Sequence, residues 1–120
     1  MNKILLTGLF LCLAASFAFA QVTTYAVPMN GIIIDVQSAS SNKGNIDVFL
    51  KTYTKNNALR PEAVASGYGI FLEDGYMKFN AESNAKIAEF LNQPDSRLEV
   101  TVKVMIEENE ILNLVSIQNK

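Results

Sequence analysis

The chain has 120 residues, enough for one domain with a modest core once a leader is set aside. Ten Lys and Arg stand against twelve Asp and Glu, a balance that argues against nucleic acid as partner, because phosphate backbones demand clustered positive charge. With no His and a single Cys, the usual ligands of zinc, copper and haem are missing, so no cofactor or metal is expected.

Residues 1–20 read as a signal peptide. Met1-Asn2-Lys3 is a short basic start, residues 4–17 are nearly all apolar, and Ala18-Phe19-Ala20 offers small residues where a signal peptidase reads them. Polar residues follow too soon for a stable transmembrane span. Cys12 follows Leu11 rather than a small residue, so it is expected to leave with the leader instead of carrying lipid. The mature chain is then one domain over residues 21–120, exported to the periplasm or beyond, with no transmembrane segment. Its nine basic residues against twelve acidic leave a net charge of −3. Lacking cysteine, it must be held by its core and not by disulfides.

In chain order, residues 21–27 are extended up to Pro28, which confines any ladder there to an edge. Asn30-Gly31 then reads as a turn into a first strand over residues 32–36, whose three consecutive isoleucines suit a strand buried on both faces. Residues 37–45 are small and polar, hence a loop. Asn45 reads as the cap of a short helix over residues 46–53, since Ile46, Phe49, Leu50 and Tyr53 fall on one stripe; a strand over 48–53 is the alternative. Pro61 suits the first position of one more helical turn.

Asp74-Gly75 between apolar runs is a hairpin signal. Placing Glu73 opposite Tyr76 sets Ile70 against Phe79 and Phe71 against Lys78. Ile70, Leu72, Met77 and Phe79 then share an apolar face, with Phe71, Tyr76 and Lys78 on the other. Asn80 caps a helix over Ala81–Leu91, whose stripe is Ala81, Ala85, Ala88 and Leu91, widened by Ile87 and Phe90. Residues 98–106 alternate with period two, and residues 111–117 return as a second hairpin with Ile106 opposite Ile111, Val104 opposite Asn113 and Val102 opposite Val115.

Five strands with a helix between the third and fourth is the layout of a small OB-like β-barrel, mainly β in class. An open antiparallel α+β sheet with helices on one face is the alternative. Ser66-Gly67-Tyr68-Gly69-Ile70, Asp74-Gly75, Lys78-Phe79-Asn80 and the alternating strand with its hairpin resemble small secreted bacterial proteins of uncharacterised function. The resemblance covers about residues 31–117 and implies a signal peptide and an OB-like barrel. Many of those proteins carry Cys and His in arrangements like D-x-x-C and H-T-K-x-C-x(5)-C. Here Asp35 matches, Ser38 stands at the first cysteine, Tyr53 replaces the histidine before Thr54-Lys55, and Asn57 and Ala63 occupy the remaining cysteine positions. No metal or redox residue of that pattern carries over.

Without His, a nucleophilic triad lacks its usual base. Asp35, Glu62, Glu73 and Asp74 are the carboxylates that could converge; Glu107, Glu108 and Glu110 on one tip offer oxygen ligands that could bind calcium, but lack the loop spacing of a dedicated site and so read as a solvated turn. The candidate ligand-binding residues are Phe71, Tyr76 and Lys78, an aromatic pair beside a lysine on the outer face of the central hairpin, where OB-type barrels bind. The competing reading covers that face with the N-terminal stretch or the 46–53 helix, as a second core. The expectation is an exported cell-envelope binding or interaction module without catalytic activity, its partner a protein, peptide or glycan. The alternative is a carboxylate-dependent enzyme or a regulator of one. An open aromatic groove favours the first; two buried carboxylates meeting in a cleft favour the second.

Overall fold

A computed structural model describes residues 25–120; the expected signal peptide, Cys12 and the mature N-terminus at Gln21 lie outside them. Five strands form one antiparallel sheet: β1 (Val27–Asp35), β2 (Tyr68–Leu72), β3 (Gly75–Lys78), β4 (Glu99–Ile106) and β5 (Leu112–Asn119), in the order β3-β2-β1-β4-β5. Among the described residues five α-helices accompany them: α1 (Val36–Ser41), α2 (Ile46–Leu50), α3 (Lys55–Ala58), α4 (Pro61–Ser66) and α5 (Ala81–Leu91). The fold is therefore α+β. The sheet is open, so the closed barrel gives way to its alternative: among the described residues an isolated parallel bridge, Phe79 beside Leu112, touches the outer strands, and no ladder of hydrogen bonds closes them.

The first strand is longer than its isoleucine run. Asn30-Gly31 is not a turn but lies inside β1, which pairs with β4 over residues 27–32 and with β2 over residues 32–35. Pro28 thus sits where one edge of β1 is open, as a residue without an N–H requires. At the other end β1 stops at Asp35, whose Oδ2 accepts from the Ser38 N–H at 3.0 Å and caps α1. The segment expected as a loop over residues 37–45 is therefore mostly helix and 3₁₀ turn: its polar residues hide a cap that belongs to the preceding strand.

Both hairpins form but change register, and only the first keeps the expected residues on each face of both strands. The first turns on Glu73-Asp74, with Gly75 at φ +151° paired to Leu72, so Ile70 opposes Met77 and Phe71 opposes Tyr76. This register differs from the expected one by two residues, which leaves every side chain on its own face. In the second, the turn over Glu108–Glu110 places Asn109 and Glu110 at φ near +60°, and Ile106 opposes Leu112. The one-residue slip brings Leu112 and Leu114 inward in place of Asn113 and Val115. A bulge then leaves Val115 unpaired and exposed and sets Ile117 opposite Val102. Burying two leucines instead of an amide without a partner accounts for the choice.

Helix α5 covers this face. Asn80 accepts from the Ser83 N–H at 2.9 Å as cap, and Ile87 and Leu91 are fully buried against Ile33, Ile70, Val100, Val102, Val104 and Leu112. The buried stripe is Ser83, Ile87 and Leu91, while Ala81 and Ala85 are exposed. Ser83 displaces the alanines because its Oγ accepts from the Leu114 N–H at 2.8 Å, docking the helix on β5. Lys55 clamps α3 to the end of α5, its Nζ donating to the carbonyls of Gln93 (2.9 Å) and Ser96 (2.8 Å).

Candidate functional site

Phe71, Tyr76 and Lys78 line one cleft. Phe71 and Tyr76 are directly opposed on the sheet face turned away from α5, and Lys78 follows Tyr76 by two residues on the same face. The facing wall is the side of α1 carrying Val36, Ala39 and Ser40, continued by Lys43 and Ile46. Between them lies a space of about 320 Å³. The helical segment thus walls the aromatic pair without covering it: Phe71 and Tyr76 are half-buried and Lys78 is exposed.

The two aromatics have different duties. Tyr76 donates its hydroxyl to the Ile34 carbonyl of β1 at 2.9 Å, reaching across β2, and burial pushes its phenol well above the usual range. Its hydroxyl is therefore structural, and only the ring is offered to the cleft. Phe71 completes an apolar wall. Lys43 and Lys78 are exposed, and among the described residues neither ammonium makes a hydrogen bond or ion pair. The cleft is an apolar trough carrying two free cations.

A second cleft, of about 450 Å³, lies on the other side of α1. Its walls are Gln37, Ser38, Ser41 and Asn42 of the α1 segment, Phe49 and Thr52, and Asn57, Arg60 and Glu62 of the next two helices. At its floor, buried Asp35 accepts the Tyr53 hydroxyl at 2.5 Å, and its own N–H donates to the Tyr53 oxygen at 3.1 Å. Burial and the bond to Asp35 both drive the Tyr53 phenol upward. Asp35, Ser38, Tyr53, Asn57 and Ala63, the positions at which the D-x-x-C and H-T-K-x-C-x(5)-C patterns fall, all line this cleft.

The chain matches no family model, no curated protein and no solved structure with which it was compared.

Of the carboxylates singled out from the sequence, Asp35 and Glu62 share the second cleft, while Glu73 and Asp74 form the β2–β3 turn. Asp35 is buried and Glu62 is exposed, so two buried carboxylates do not meet there. Among the described residues no three His, Cys, Asp or Glu converge in a way that could hold a metal ion, the acidic tip at Glu107, Glu108 and Glu110 included. The 46–53 helix, expected as a possible cover of this face, contributes Ile46, whereas Ala39 and Lys43 have no counterpart in the sequence reading because α1 falls where a loop is expected. The signal was Asp35 three residues before Ser38, a cap pattern at the end of an apolar strand.

Proposed function

We propose that the protein is an exported binding module of the cell envelope, without catalytic activity, acting through the cleft of Phe71, Tyr76 and Lys78. The observation that carries this is the pairing of a half-exposed aromatic wall with two unpartnered lysines at one cleft. Such a site suits a ligand with an apolar body and an anionic group. Of protein, peptide and glycan, an acidic peptide segment with a neighbouring apolar residue fits that description best. Export rests on residues 1–20, and no helix among the described residues is long and apolar enough to cross a membrane.

An OB-like arrangement is the finer reading of this fold. Supporting it are the strand order, α5 between the third and fourth strands, and the bridge between Phe79 and Leu112 at the outer strands. OB-type sheets bind ligands on the face of their second and third strands, the face that holds Phe71 and Tyr76.

Lys43→Glu with Lys78→Glu tests the site without touching the core, since both side chains are exposed. Titration of the mature protein with acidic, neutral and basic peptides of equal hydrophobicity should show preference for the acidic one. The double variant should lose that preference, with an affinity drop of about tenfold or more, because two charge-assisted contacts are reversed. Equal binding of all three peptides, or an unchanged affinity in the variant, would overturn the proposal.

A further inference from the structure

The cleft on the far side of α1 differs from the aromatic one in chemistry. Residues 36, 39, 40 and 43 serve the aromatic cleft, and residues 37, 38, 41 and 42 serve the other, so the α1 segment is the wall between them. Most residues of the second lining are polar and of both signs, while Phe49, Tyr53 and Ala63 add apolar surface. Among the described residues, the guanidinium of Arg60, the carboxylate of Glu62, the amide of Gln37 and the hydroxyls of Ser38 and Ser41 make no side-chain hydrogen bond or ion pair. Donors and acceptors are interspersed rather than segregated. A ligand satisfying such a lining must donate and accept at closely spaced points, which is what successive hydroxyl groups do. A singly charged ligand would leave either Arg60 or Glu62 unmatched.

The apolar part of the lining includes an aromatic pair. Phe49 is half-buried beside Tyr53, with ring centroids 5.1 Å apart and planes tilted by 42°. An aromatic platform beside planar polar side chains is suited to the C–H face of a pyranose ring, whose edge hydroxyls meet the bidentate groups. The volume, about 450 Å³, is that of a small-ligand site and of the scale of one or two sugar rings. The floor is pre-organised. Asp35 is held by Ser38 and Tyr53, so the wall that carries Ser38 is fixed before any ligand arrives.

We infer that this second cleft is a saccharide-binding site, taking a neutral mono- or disaccharide unit through Phe49, Arg60 and Glu62. It is separate from the peptide site proposed above and does not depend on it.

The test uses the mature protein and a panel of neutral disaccharides: maltose, cellobiose, lactose and chitobiose. Amide chemical shifts should move on titration with at least one of them, grouped at Ser38, Asn57, Arg60 and Glu62, with a Kd of about 1 mM or tighter. Arg60→Ala and Glu62→Gln, both at exposed positions, should each weaken that binding about tenfold or more, as loss of a charge-assisted contact predicts. Lys78→Glu should leave it unchanged while weakening acidic-peptide binding, so the two sites fail independently. Absence of shifts with all four sugars, shifts grouped elsewhere, or unchanged binding in both variants would overturn the inference.

Discussion

The Tyr76 ring lies directly over Gly69, with no room for a side chain between them. A Cβ at Gly69 would stand 2.5 Å from the Tyr76 hydroxyl and 2.6 Å from the Met77 carbonyl. The bare backbone at Gly69 is what lets Tyr76 cross β2 and reach the Ile34 carbonyl on β1. Gly69→Ala should therefore displace the ring and cost about 1–3 kcal/mol, the usual penalty of overpacking. Urea denaturation checks the loss, and an unchanged midpoint would mean that the ring moves freely.

Ser83→Ala should destabilise more than its size suggests. The hydroxyl is fully buried and accepts from the Leu114 N–H, which the alanine would leave without a partner. A loss of about 1–3 kcal/mol is expected for an orphaned buried donor. Ala85→Ser, on the exposed side of the same helix, should change stability by less than about 0.5 kcal/mol. Equal effects of the two substitutions in denaturation would refute the docking role of Ser83.

Val102→Ala should cost about 1–3 kcal/mol by large-to-small logic, since Val102 is fully buried opposite Ile117. Thr101, its neighbour on the other face, is half-buried and donates to Asn30 Oδ1 at 2.6 Å. Thr101→Ala loses one exposed hydrogen bond and should cost about 0.5–1 kcal/mol. Matching losses would reverse the face assignment of β4.

Alkali should unfold the protein early. Burial, with the Asp35 charge added, pushes the Tyr68 phenol up to about 12 from its ordinary 10.0. Tyr53 and Tyr76 are also raised, by burial first. The folded state thus keeps protons that the unfolded chain releases, so stability is whole below pH 10 and falls as pH rises toward 12. Tyr68→Phe should flatten part of this decline. Urea midpoints measured across that window would contradict the account if they stayed level.

Much of the secondary structure was legible because its causes are local. The period-two run of β4, the Asn80 cap of α5 and Pro61 at the start of α4 each act within a few residues. The side of the central hairpin that carries Phe71, Tyr76 and Lys78 was legible for the same reason. Alternation assigns faces whatever the register, provided the shift is even. Helix α1 was not legible, because its cap is the last residue of a strand and its packing partner, α4, lies far along the chain.

By itself, then, the sequence determined which residues alternate, where α5 begins and ends, and which aromatics share a face. Only the tertiary structure decided three further things: the open sheet, the β4–β5 register and the two clefts divided by α1. Each depends on contacts distant along the chain. The register turns on burying Leu112 and Leu114 under α5 rather than Asn113 and Val115, with Ser83 receiving the Leu114 N–H. The clefts turn on Asp35 holding both Ser38 and Tyr53, one nearby and one far along the chain. Hydrophobic periodicity specifies a surface that must be covered, and the partner that covers it is chosen by packing and hydrogen bonding in three dimensions.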